Sequence, residues 1–245
     1  FTAPGGLSNM IAATVAQELR IKGPAYTVDA ACASALVALA DAVAALRTGQ
    51  VDCALAGGVY ICLTPEHHVA FSRVGAMSRT GQCLPFDSRA DGFVEGDGCG
   101  VIMLKRVEDA IAAGDRIYGV IAGVGMNNDG GGEGPMAPVK SGQLDVIERA
   151  WRDAGIPRSE LGYVEAHGTG TSVGDKIEFE GLLSAFGDVA SHVTLGSAKA
   201  NVGHTMSAAG MAGVIRAALA MHHRTRPPMA NFESPKEDLG LDQSP

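Results

Sequence analysis

No two of the five cysteines, at positions 32, 53, 62, 83 and 99, form a C-x-x-C pair or stand at a spacing that collects metal ligands. A disulfide-stapled scaffold and a zinc-ribbon framework are therefore disfavoured, no metal is expected, and a reduced, cytoplasmic setting fits best. Excess positive charge is lacking as well. The formal net charge is −8 at pH 7, so electrostatics give no case for nucleic acid or an anionic membrane as a partner. Long apolar runs are also missing: those around 35–46 and 208–221 are broken by Asp41 and Arg216, and no signal peptide is visible. The sequence starts at Phe1 without an initiator methionine and closes on a loop-like tail, as expected of a piece of something longer.

What is present is a globular composition of 245 residues, 46% hydrophobic and 19% charged, long enough for one large core or two half-sized lobes. The 33 glycines cluster in short turns such as Gly57-Gly58 and Gly130 to Gly132, and at Gly168, Gly170 and Gly174. Such clusters suit tight turns and close approach of backbone to a ligand.

The stretch from Tyr26 to Val37 reads as a buried strand, Tyr26 to Val28, running into a helix that is apolar nearly all round and that Gly49 closes. Cys32 sits at the turn, flanked by Ala30, Ala31, Ala33, Ser34 and Ala35, where a helix N-terminus is expected to lower the thiol pKa. A cysteine among alanines is also what a small packing residue looks like, so this placement does not decide the matter alone.

Along the chain, helices are expected at Leu7 to Ile21, Thr64 to Phe71, Val107 to Ala113, Ser141 to Ala154, Asp175 to Phe186 and Ser207 to His222. Strands are expected at Val51 to Val59, near Cys99, and at Ile117 to Val124, Tyr163 to Ala166 and Val193 to Leu195. This alternation predicts an α/β fold with a largely parallel, helix-covered sheet in two lobes, 1–106 and 107–245. His67-His68 has no i, i+4 partner and no carboxylate motif, so a surface or packing role is expected. The acidic, glycine-rich residues 84–104 do not match a calcium loop, and the glycine-rich loop from Asn127 to Pro135 is a candidate rim of a site.

Two further stretches carry chemistry. In Val164 to Asp175, His167 stands where a strand ends, and the glycine spacing is not that of a dinucleotide loop. In Gly196 to Gly210, Lys199 and His204 occupy a small-residue loop between a strand and an apolar helix. Three such loops would converge on one rim, giving a cysteine nucleophile with two histidines and a lysine around it.

Asp29-Ala-Ala-Cys-Ala-Ser, Glu165-Ala-His-Gly-Thr-Gly-Thr and Lys199-Ala-Asn-Val-Gly-His204 resemble the signature motifs of β-ketoacyl synthases of the thiolase superfamily, in particular the ketosynthase domains of polyketide synthases. Pro85-Phe-Asp, Asp91-Gly-Phe-Val-Glu-Gly and Asn128-Asp-Gly are similar too. The resemblance implies a layered thiolase fold truncated at both ends. Residues 1–106 would be the remainder of the lobe carrying the nucleophile, and 107–245 an incomplete lobe carrying both histidines and the lysine. Cys32 would take an acyl chain from the phosphopantetheine of an acyl carrier protein, with no tightly bound cofactor. His167 and His204 would stabilise the enolate left by decarboxylation of a malonyl-type extender. Lys199 and Glu178 would form a supporting ion pair, and the chain would pair as a homodimer with the strand before Cys32 in the seam. Ala35 stands where many relatives carry a second serine, and the loop Gly130 to Met136 departs from the modular pattern, which keeps an iterative synthase open. A fatty-acid condensing enzyme, a non-condensing gating homologue and a cysteine hydrolase are the rivals.

Overall fold

The structure is a computed structural model and describes residues 5–239 apart from 132, 133, 135 and 136. Phe1 to Pro4, the last residues of the tail, and most of the glycine loop from Gly130 to Met136 lie outside the described residues.

Among the described residues, α1 (Met10–Glu18) is followed by a segment in neither helix nor strand and by a 3-10 turn at Ala31–Ala33, which enters α2 (Ser34–Arg47). Gly49 follows that helix with φ of 71°, a left-handed conformation that residues with a side chain rarely adopt, so the expected stop is made by the residue best suited to it. Strand β1 (Cys53–Tyr60) pairs with β2 (Gly98–Lys105), and α3 (Glu66–Arg73) lies in the connection between them. Next come α4 (Val107–Ala113), α5 (Lys140–Ala154) and β3 (Tyr163–Glu165). After α6 (Ser172–Phe186), the strand β4 (Thr194–Gly196) pairs with β3, and α7 (Lys199–Val202) leads to α8 (Ala209–His222).

Two expectations are corrected. The sheet is not largely parallel: β3 and β4 run parallel, while β1 and β2 are antiparallel. The connection from β1 to β2 holds only the short α3 and a series of turns, and no long crossover helix reverses the chain as parallel pairing requires. Tyr26–Val28 and Ile117–Val124 are in no strand and pair with none among the described residues, and Tyr118 lies in a bend. Ile121 and Val124 instead pack as side chains on the cluster formed by Leu39, Val43 and Ala56.

Packing of α2 and α8 on the β1–β2 hairpin positions the site. Gly58 and Gly100 face each other in register. A Cβ at Gly58 would lie 2.7 Å from the Ser207 carbonyl oxygen and 2.9 Å from the Ala35 Cβ. A Cβ at Gly100 would lie 2.9 Å from the Met211 Cγ. Only a hydrogen fits at either place, and this flat patch lets the N-terminal ends of α2 and α8 sit together on the sheet. Ser207 Oγ also donates to the Val59 carbonyl at 2.7 Å, pinning the start of α8 to β1. A second cluster, Phe86, Ala166 and Phe179 with Leu195, packs α6 against the β3–β4 pair, and a third joins Phe93 and Met206.

Candidate active site

Cys32 occupies the 3-10 turn ahead of α2. Ala31, just before it, has φ of 50°, a left-handed backbone that costs a non-glycine residue roughly 1–3 kcal/mol. The turn is held from both sides. Asp29 Oδ1 accepts the Ala31 N–H at 3.0 Å, while Ser34 Oγ accepts the Ala30 N–H at 2.9 Å and donates to the Ala31 carbonyl at 2.7 Å. The expected lowering of the thiol pKa is not what the surroundings give. Burial pushes the Cys32 thiol up, and the pull of the Lys199 ammonium and of its own N–H does not overcome it.

His204 is 2% exposed, with its Nε2 3.2 Å from the Cys32 sulfur. Its Nδ1 accepts the Met206 backbone N–H at 3.1 Å. With Nδ1 acting as acceptor, the ring hydrogen resides on Nε2 and points at the sulfur. Met206 can turn its N–H toward the ring because its own φ is 42°, again left-handed. The His204 backbone is strapped to the segment before β2: its N–H donates to the Val94 carbonyl at 2.7 Å, and the Gly96 N–H donates to its carbonyl at 3.0 Å. Phe93 packs edge-on against the ring, with centroids 5.1 Å apart. Burial, assisted by Lys199 and His167, lowers the His204 pKa to about 3, so the ring is neutral near pH 7.

The second imidazole, His167, lies 5.4 Å from the first, centroid to centroid, with the planes nearly perpendicular. His167 is exposed at its surface, yet it packs against His204 and Lys199 closely enough to lose much of its hydration. That desolvation, followed by the Lys199 charge, lowers its pKa to about 3. Lys199 is 6% exposed. Its Nζ donates to the His167 carbonyl at 2.6 Å and approaches His167 Nδ1 at 3.4 Å. An ammonium can only donate, so Nδ1 is again the acceptor and the hydrogen again sits on Nε2.

Glu178 takes the His167 N–H on one oxygen at 2.6 Å and the Gly168 N–H on the other at 2.8 Å. Burial raises its pKa, against the opposing pull of those two N–H groups and of Lys199. The expected ion pair with Lys199 is not formed, since the two groups do not approach within 4.0 Å. Each grips His167 instead, the carboxylate by its N–H and the ammonium by its carbonyl. Gly168, with φ of 44°, makes that turn, and a Cβ there would sit 2.9 Å from the Ser197 Cβ.

The structure thus brings together Cys32, His204, His167, Lys199 and Glu178. Phe93, Val94 and Met206 also shape the site, although nothing in their spacing assigns them a part. The Asp91-Gly-Phe-Val-Glu-Gly stretch is the available signal, and its task is to strap His204 in place. Pro85-Phe-Asp serves the frame. Asp87 is fully buried, and the Arg89 side chain and the backbone N–H groups of Glu233, Arg89 and Ser234 outweigh burial and hold its carboxyl well below the usual range. Asp175, also fully buried, accepts the Phe86 N–H at 2.7 Å and the Gly170 N–H at 2.9 Å, tying that segment to the His167 turn.

Residues 1–110 match the family model for the β-ketoacyl synthase N-terminal domain, and 118–233 match that for its C-terminal domain. A phenolphthiocerol/phthiocerol polyketide synthase of Mycobacterium tuberculosis (strain H37Rv) is 44% identical over 95% of this chain and 15% of its own length. Polyketide synthase PksL of Bacillus subtilis (strain 168) is 43% identical over 99% of this chain and 5% of its own. Among solved structures, the ketosynthase from module 6 of the bacillaene synthase of Bacillus subtilis 168 superposes with a TM-score of 0.92 at 43% identity, over 96% of this chain and 42% of that one. The oxazolomycin ketosynthase domain of Streptomyces albus JA3453 gives a TM-score of 0.92 at 35% identity, over 98% and 42%. The chain therefore spans less than half of the solved ketosynthases and a small part of the synthases.

Proposed function

The chain belongs to the β-ketoacyl synthase family and has the thiolase-like fold of its ketosynthases, and from that premise we propose that it carries the condensing centre of a polyketide synthase. The observation behind this reading is one thiol beside two neutral imidazoles whose Nδ1 atoms are both occupied, leaving two Nε2–H groups as donors.

In the first half-reaction the Cys32 sulfur attacks the acyl thioester on a carrier protein's phosphopantetheine. The C–S bond to pantetheine breaks, and the thiol proton leaves with the pantetheine sulfur. The backbone N–H of Cys32 is assigned half of the oxyanion hole. In the second, a malonyl-type thioester loses CO2, and the electron pair of the broken C–C bond becomes an enolate. Nε2–H of His167 and of His204 hold its oxygen as the charge grows, a preorganised pair that need not rearrange. The enolate carbon then attacks the acyl-Cys32 carbonyl. A β-ketoacyl thioester leaves, and the Cys32 thiolate recovers a proton from solvent. Lys199 and Glu178 act by positioning His167.

A cysteine hydrolase fits less well, because it needs a histidine nitrogen free to take the thiol proton, and the His204 nitrogen facing Cys32 already carries a hydrogen. Fatty-acid condensation would use the same centre. Polyketide synthesis is preferred because the relatives named above are polyketide synthases. A gating homologue would have no use for both donors.

For the acyl carrier protein, an acidic partner bearing phosphate, we assign docking to the exposed Arg73, Arg79, Arg224 and Arg226. Unchanged carrier affinity at low salt after charge reversal at all four would exclude this. Homodimerisation is assigned to the extended segment before Cys32, where Tyr26 is 56% exposed. Among the described residues no helix is long and apolar enough to cross a membrane.

The test is intact-mass spectrometry of the full-length ketosynthase containing this chain after incubation with acyl-pantetheine thioesters. A single acyl adduct that vanishes in Cys32→Ala is expected. No adduct on the folded protein across several acyl lengths would favour the gating reading.

A further inference from the structure

A second cluster of reactive side chains lies outside the condensing centre. Cys62 follows β1, His68 sits in the first turns of α3, and Glu95 precedes β2. Their Sγ, Nδ1 and carboxylate oxygen lie within 4.8 Å of one another. We propose that Cys62, His68 and Glu95 form a binding site for a zinc-class divalent cation, with water completing a four-coordinate shell.

The spacing suits the ion. Bonds of about 2.0–2.3 Å from a tetrahedral zinc to sulfur, nitrogen and oxygen put the ligand atoms about 3.3–3.8 Å apart. The Cys62 sulfur is 3.8 Å from His68 Nδ1 and 3.8 Å from Glu95 Oε2. The third edge, His68 Nδ1 to Glu95 Oε2, is a direct contact much shorter than a zinc edge, so these two groups must separate by about 1 Å to admit the ion. A thiolate, an imidazole and a carboxylate form a mixed donor set of the kind zinc accepts with a fourth position open.

Burial supplies the second argument. The Glu95 side chain is 1% exposed, yet among the described residues no lysine or arginine comes within 4.0 Å of it. The buried carboxylate is met by His68 on Oε2 and by the Tyr60 hydroxyl on Oε1, and a cation bound between Oε2 and His68 adds the positive charge that a lysine or arginine does not supply here. The other oxygen, Oε1, is already held by the Tyr60 hydroxyl at 2.6 Å, so Oε2 is the one turned toward Cys62 and His68. Tyr60 in turn lies 3.0 Å from His67 Nδ1, and Asp97 Oδ1 accepts the Cys62 N–H at 2.8 Å. Outer partners of this kind orient the ligands of a metal centre. Binding exchanges the Cys62 thiol proton for the metal and releases it to solvent.

The site also adjoins the condensing centre through the backbone, since Val94 and Gly96, on either side of Glu95, are the residues that strap His204. Cys62, His68 and Glu95 come from separate elements, which is why no sequence motif announces them.

The test uses the full-length protein stripped with a chelator, in a Cys32→Ala background so that the catalytic thiol cannot compete for metal. Equilibrium dialysis with Zn2+ is expected to give one tightly bound ion per chain, and Co2+ to give a thiolate-to-cobalt charge-transfer band. Cys62→Ser should abolish the band. His68→Ala, at an exposed position that leaves folding intact by circular dichroism, should weaken binding by more than Tyr60→Phe, for which about 10–100-fold is expected. Cys53→Ser should change nothing. Absence of a stoichiometric ion, or zinc binding that survives both Cys62→Ser and His68→Ala, would overturn the proposal.

Discussion

His204 and His167 present the same nitrogen by different means, and the difference is instructive. His204 is enclosed, and the hydrogen bond that fixes its tautomer comes from a neutral backbone N–H at Met206. His167 is exposed and depends on the Lys199 ammonium, itself buried, with Nζ at 3.4 Å from Nδ1. A backbone donor cannot titrate or leave, so the His204 tautomer is fixed without a charge, although burial, helped by Lys199 and His167, still lowers its pKa. The His167 tautomer is set by a charge and therefore responds to whatever changes that charge. The closed histidine touches the nucleophile, whereas the other reaches solvent.

The comparison breaks most severely if either ring is removed. His204→Ala and His167→Ala should each cut malonyl decarboxylation by about 10²–10³-fold, the usual cost of one donor in such a pair, as read by CO2 release. Equal transfer of acyl chains to Cys32 in His167→Ala would locate the loss in the second half-reaction. Lys199→Met should separate the two. A hydrogen bond to a charged group is worth about 1.5–3 kcal/mol, so decarboxylation should fall roughly 10–100-fold, with His167 adopting both tautomers and His204 unchanged. Gly58→Ala tests the platform beneath both loops. Its Cβ would meet the Ser207 carbonyl and Ala35, so destabilisation of about 1–3 kcal/mol is expected in denaturant unfolding.

The smallest effects are those of pH. Both histidines have folded pKa values near 3 against an ordinary value of 6.5, so the unfolded chain binds more protons between those limits. Their contribution to stability is complete above about pH 6.5 and is lost as pH falls toward 3, a trend that thermal melting across this range can check. Because burial raises the Cys32 pKa, iodoacetamide alkylation of Cys32 should rise with pH through a midpoint above that of a free thiol. A midpoint below the free-thiol value would mean that the helix terminus dominates.

Much of this centre is legible in the sequence because each reactive residue sits in a short loop of small residues between elements of clear periodicity. Cys32, His167, Lys199 and His204 can be named from those loops alone. The tautomers cannot be read, because they depend on one backbone N–H and one ammonium placed by left-handed turns at Met206 and Gly168. The absent Lys199–Glu178 pair has the same origin: both residues reach His167, and nothing in linear spacing says that they meet it rather than each other. Pairing of β1 with β2 is antiparallel against expectation because the direction of a strand is decided by how its connection turns, and residues 61–97 hold the short α3 and turns in place of a long crossover helix. Exposed Tyr26 lies in a stretch with strand composition and no partner among the described residues, since composition specifies an extended backbone but not the neighbour that makes a ladder.

Histidine-selective 15N NMR of the full-length ketosynthase containing this chain, with His167 and His204 assigned by substitution, tests the central claim most directly. Both rings should be neutral at pH 7 with the hydrogen on Nε2, and should remain so at pH 5. An imidazolium, or a hydrogen on Nδ1 of His204, would contradict the account, because the ring facing Cys32 would then be a proton carrier and not a fixed donor to the enolate.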